Sequence, residues 1–91
     1  MLALALAGDG CVGAGGPKTV HGLVVNVQPS SFSLIGSFDL QADDGRTLTF
    51  TVQGDVGFTP SHLREHMVFA QPVSVTYHEA NGDLVATRVE D

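Results

Sequence analysis

Residues 32–42 place Phe32, Leu34, Gly36, Phe38, Leu40 and Ala42 on one side of an extended chain. Ser33, Ile35, Ser37, Asp39 and Gln41 fall on the other. Side chains alternate across a strand with a period of two, so the pattern predicts a strand with one buried face. Gly36 sits mid-strand on the inward side. There it permits a bend or bulge, which a small closing barrel needs.

The rest of the body repeats this logic. Residues 19–28, TVHGLVVNVQ, are β-branched, with Leu23, Val25 and Val27 on one face and Val20 and Val24 on the other. Pro29-Ser30-Ser31 breaks the run. Asp44-Gly45 predicts a hairpin with a tight primed turn. Residues 47–53 then turn Leu48, Phe50 and Val52 inward and Thr47, Thr49 and Thr51 outward. After the loop GDVGF (54–58), Thr59-Pro60 reads as an N-cap followed by proline at the first helical position. The helix covers about SHLREHMVF, with Leu63, Met67 and Val68 as its apolar stripe and Pro72 as its stop. Residues 73–78 point Val73, Val75 and Tyr77 inward. Asn81-Gly82 marks a second hairpin, and DLVATRVE is the last strand. The order is β-β-β-α-β-β. The expected class is all-β with one short helix, as a five-stranded OB-like barrel whose helix plugs one end. An SH3-like barrel is the runner-up, but its helical turn falls one strand later.

Residues 1–16, MLALALAGDGCVGAGG, lie outside that pattern and read as a signal-like or disordered leader. The barrel domain is then 17–91. The apolar run Met1–Ala7 is far short of the roughly 20 residues a spanning helix needs. Ala5-Leu6-Ala7 offers a cleavage site of the secretory kind, although no basic residue precedes it. Lipid anchoring through Cys11 is the second reading, against which Gly8 and Asp9 fit poorly. Cys11 is the one cysteine, so no intrachain disulfide forms.

Charge limits the partners. Ten acidic residues face Lys18, Arg46, Arg64 and Arg88, for a formal charge of −6. Such a surface repels phosphate backbones and anionic bilayers. Nucleic acid is therefore excluded as a charge-driven partner. A short exposed edge strand offers another route to a partner or to a second copy.

Chemistry has few places to reside. His62-Leu63-Arg64-Glu65-His66 matches H-x-x-E-H, in which histidines at i and i+4 share a helix face and the Glu acts as general base. A peptidase of that kind also needs a third protein ligand and a far larger scaffold. The expectation is a polar helix face with Leu63 and Met67 behind it, with His62 and His66 as the metal-ligand candidates. His21 and His78 lie on strands, and nothing in the sequence joins them to that pair. Asp39, Asp43, Asp44 and Asp55 gather near the middle turns but lack the full ligand loop of a calcium site. No serine or cysteine stands in a nucleophile motif, and Gly13–Gly16 precedes a strand rather than a helix, unlike a phosphate-binding loop.

Taken together, the motifs are G-x-V at Gly22 and Val24, F-x-L, D-D-G-R, L-x-F-x-V, T-P-x-x-L, P-V-x-V-x-Y and N-G-D-L-V-A-x-x-V. Over residues 19–90 this resembles the small OB-like β-barrel domains of unknown function found in bacterial exported proteins and lipoproteins. Gln71-Pro72 departs from the pattern, where glycine is more usual before the fourth strand. The resemblance implies an extracytoplasmic location, in the periplasm or cell envelope, and no known catalysis. The expected function is therefore a non-enzymatic binding or interaction module without a cofactor. Its partner would be a protein or a small ligand, and its state a monomer or weak homodimer. The alternative is a periplasmic metal-binding protein using His62 and His66.

Overall fold

The computed structural model describes residues 16–91. The leader, with its cleavage site and Cys11, lies outside the described residues apart from Gly16. Five strands and one helix follow: β1 (Lys18–Pro29), β2 (Ile35–Ala42), β3 (Thr47–Val52), α1 (Pro60–Val68), β4 (Val73–Ala80) and β5 (Asp83–Glu90). The strands close into a barrel in the order β1-β2-β3-β5-β4, with β4 returning to β1. Every contact is antiparallel except β3 with β5, which is parallel and short, from Phe50↔Leu84 to Val52↔Ala86. No described strand lacks a neighbour on either side. Pairing with a partner along an open sheet edge, expected from the sequence, therefore has no edge strand to use.

The core fills the barrel. Phe38, Phe50, Leu40, Leu63, Val73 and Val75 are all at most 1% exposed. The Phe50 ring packs 5.3 Å from Phe38 and edge-on to Tyr77 at 5.1 Å, both favourable aromatic geometries. Val56 and Phe58, from the loop before α1, also join the core.

Three expectations are corrected. Phe32 and Leu34 do not point inward, because residues 30–34 form a loop before β2 begins. Phe32 is fully exposed at 102%, and Ile35, expected on the polar side, is buried at 2%. Ile35 turns inward at a bulge: Gln28 pairs with Ser37 and Pro29 with Ile35, so Gly36 is skipped and the inward phase shifts by one. A second bulge skips Val25 in β1, between Val24↔Leu40 and Asn26↔Asp39. Val24 and Val27 are therefore both buried, while Leu23 and Val25 are exposed. The Asp44-Gly45 hairpin is present but not primed. Gly45 alone in that turn has positive φ, at 94°, and Gly45 N donates to Ala42 O at 2.9 Å. This is the three-residue hairpin with glycine in the left-handed position. Arg46 donates from backbone and side chain to the Asp44 carboxylate, and the backbone bond leads in holding that carboxyl below its ordinary pKa. At Asn81-Gly82 both residues have positive φ, 54° and 84°, as the primed turn requires.

Helix α1 begins as the sequence predicts. Thr59 Oγ1 accepts from His62 N at 3.2 Å, and Pro60 occupies the first turn. Leu63 is buried and Met67 half-buried, but Val68 is 71% exposed. The inward position beside Leu63 goes to His66 instead. The helix ends in a Schellman arrangement: Gln71 N donates to His66 O at 2.9 Å and Ala70 N to Met67 O at 3.3 Å. Ala70 carries the left-handed conformation, φ 53°, that glycine usually supplies there. Ala70→Gly is expected to stabilise the fold by about 0.5–1 kcal/mol, the cost of a side chain at that φ less the added freedom of the unfolded chain. Urea denaturation checks it, and an unchanged or lower midpoint counts against the strain argument.

Candidate functional site

The Schellman turn shapes the chemistry of α1. Folding Gln71 back over the last turn brings its carbonyl to the His66 ring, with Nδ1 and O 3.2 Å apart. A carbonyl only accepts, so His66 Nδ1 carries the proton and donates it. In the neutral ring this tautomer leaves the lone pair on Nε2. Nε2 lies 3.9 Å from Asp91 Oδ2, beyond hydrogen-bond range. No buried side-chain nitrogen or oxygen among the described residues lacks a partner, so Nε2 reaches solvent on the Asp91 side.

Asp91 arrives there through β5. Val89 is buried, and its N donates to Val56 O at 2.8 Å. That bond pins the end of β5 beneath the loop leading into α1, and Asp91 follows two residues later. The same loop supplies Phe58, buried at 6%. His62 stacks flat on it, ring centroids 4.1 Å apart and planes 1° from parallel. Phe58 also meets His66 at 5.2 Å, and the two imidazoles stand 5.1 Å apart. One ligating atom each from His62, His66 and Asp91 lies within 4.8 Å of the other two.

The histidine pair named from the sequence is thus on one helix face. His66 is not part of a merely polar face, however: its ring is buried among Phe58, His62 and the Gln71 carbonyl. The carboxylate beside the pair is Asp91, not the Glu65 of the H-x-x-E-H reading, which is exposed and outside the group. Asp91 was missed because it sits 25 positions beyond His66, on another element, with no local spacing to reveal it. His21 bonds Asp43 at 2.8 Å instead, and His78 belongs to β4 and not to this group. The four aspartates of the middle turns do not converge. Asp39 accepts from Thr49, Asp43 faces His21, Asp44 holds Arg46 and Asp55 accepts from Gly57 N.

A second feature lies toward the N-terminal end of α1. A cleft of about 490 Å³ is lined by Pro29 at the end of β1, by Ser30, Ser31 and Phe32 of the β1–β2 loop and by Pro60, Ser61 and Arg64 of the helix. The loop is held by its own hydrogen bonds. Ser30 and Ser31 N donate to Leu34 O, and Ser31 Oγ accepts from Ser33 and Leu34 N. Phe32 lies within this turn and is fully exposed to solvent. Lys18, Arg46 and Arg88 each pair with a carboxylate, to Glu79, Asp44 and Glu90. Among the described residues Arg64 is the one Lys or Arg without an ion pair.

Comparison with known protein families, with curated proteins and with solved structures gives no match for this chain.

Proposed function

We propose that the chain is a non-enzymatic, exported binding module on an OB-like barrel, and that it takes a carboxylate-bearing small ligand in the cleft between the β1–β2 loop and α1. The strand order β1-β2-β3-β5-β4, the parallel β3–β5 contact and a helix between β3 and β4 support the OB-like description. In that architecture the loop between the first two strands is a principal ligand contact. A cell-envelope location rests on the signal-like leader and on the resemblance of residues 19–90 to exported barrel domains.

The observation that carries the ligand class is the unpaired Arg64 lining one cleft with the exposed Phe32 ring. In a chain of charge −6, an uncommitted guanidinium is available for a carboxylate. Phe32, Pro29 and Pro60 provide an apolar surface for the ligand body, and Ser30, Ser31 and Ser61 provide hydroxyls around it.

The test is an NMR titration of the full chain with phenylacetate, with phenylacetamide as the uncharged control. The carboxylate is expected to shift Ser30, Phe32, Ser61 and Arg64 resonances, and the amide to shift them little. Arg64→Gln is expected to weaken carboxylate binding about tenfold, the loss of one charge-assisted contact. Equal shifts with both probes, or none at the cleft, would sink the reading.

A further inference from the structure

We infer that His62, His66 and Asp91 form a binding site for a divalent transition-metal ion of the zinc class. The site is separate from the Arg64 cleft and does not depend on it. Two imidazoles and one carboxylate are a ligand set suited to Zn²⁺ and poorly suited to Ca²⁺ or Mg²⁺, which take oxygen ligands.

Three features of the geometry go beyond the H-x-x-E-H spacing. The first is the third ligand, brought by β5 and absent from the helix. The second is the fixed proton on His66. A metal-ligating histidine ordinarily donates its other ring N–H to a carbonyl or carboxylate, which orients the ring and makes the ligating nitrogen more basic. Gln71 O fills that role, so the ring is oriented with Nδ1 toward the carbonyl and Nε2 toward the open side where Asp91 lies. The third is the Phe58 ring under His62, which holds the imidazole in place and forms an apolar wall.

The spacing asks for a small adjustment. Ligand atoms around a tetrahedral zinc lie about 3.3 Å apart, from bonds of about 2.0–2.1 Å. Here they lie within 4.8 Å of one another. The Asp91 side chain is 72% exposed and His66 only 7%. Asp91 is therefore the ligand that swings inward, toward a fixed His66. Three protein ligands leave a fourth position for water or another donor. Arg64, two residues from both histidines on the helix, carries no part of the site.

Calorimetric titration of the full chain with ZnCl₂ tests the inference, with NMR following the histidine rings. Zinc is expected to bind one-to-one in the micromolar range, with His62 and His66 shifting together and with no response to Ca²⁺ or Mg²⁺. Asp91→Asn and His62→Gln alter exposed or half-exposed side chains and should leave the fold intact. Each is expected to weaken zinc by more than about tenfold, the loss that even an outer partner of a metal ligand can cause. Cys11→Ser is expected to leave binding unchanged. Absence of binding, affinity untouched by Asp91→Asn, or affinity lost in Cys11→Ser would each overturn the assignment.

Discussion

Replacing Gly22 with alanine is expected to destabilise the barrel by about 3 kcal/mol, a large share of the roughly 5–15 kcal/mol that keeps a domain folded. Gly22 is the point where β1 passes from one neighbour to the other. It pairs with Ala42 of β2 and with Val73 of β4. At such a crossing two backbones approach more closely than side chains allow. A Cβ on Gly22 would lie far inside contact distance of the Gln41 carbonyl oxygen and 2.8 Å from Ala42 Cα. Both are backbone atoms of a central strand, so neither can rotate away. Relief would require β1 and β2 to separate, breaking the ladder that closes the barrel. Gly16→Ala is the control, because nothing lies within 4 Å of its added Cβ. Urea denaturation of both variants decides the matter. A Gly22→Ala midpoint equal to that of the control would show that the seam yields more easily than its geometry implies.

Much of this architecture is legible in the residues, and the exceptions share a cause. β3 keeps a strict two-residue period, and there the inward set Leu48, Phe50 and Val52 follows directly from the sequence. β4 does the same with Val73, Val75 and Tyr77. β1 and β2 each contain a bulge, at Val25 and Gly36, and each bulge moves the pattern on by one residue. Reading straight through Gly36 therefore sends Ile35 out of the core, and it also runs the strand back over Phe32, which lies in the loop instead. The glycine signals that a bend is possible. It does not say whether the phase changes there. The turn at Asp44-Gly45 misleads in a related way, since the dipeptide suits more than one hairpin geometry.

The candidate site is legible only in part, for a different reason. His62 and His66 are one helical turn apart, so local spacing puts them on a common face. The depth of His66 depends on Phe58 and on Gln71, and its third neighbour Asp91 depends on how β5 closes against the loop before α1. Those are tertiary facts. The left-handed Ala70 has no sequence signal either, because glycine usually marks that position. A chain that ends its helix without the usual glycine still makes the turn, and that turn delivers the carbonyl that orients His66.

Leu63→Ala is expected to cost about 3 kcal/mol and, unlike other core truncations, to impair both candidate sites together. Leu63 has no exposed surface and anchors the middle of α1 in the barrel core. The helix has only Pro60–Val68, too short to be stable without its docking surface. Met67 is half-buried and Val68 exposed, so neither replaces the lost contact. Removing the side chain leaves a cavity under the segment that carries Arg64 in one direction and His62 and His66 in the other. Loosening α1 would free the Gln71 carbonyl from His66 and open the cleft against the β1–β2 loop. The expected result is a lower thermal midpoint, by about 4–8 °C per kcal/mol for a domain of this size. Faster amide exchange across residues 61–69, together with weaker zinc and phenylacetate binding, should accompany it. Val75→Ala, in the β4 wall of the same core, separates local from global effects. It should lower the midpoint while leaving both ligands bound at temperatures where the barrel is folded. If Leu63→Ala kept full affinity for both ligands, α1 would not be the element that holds them.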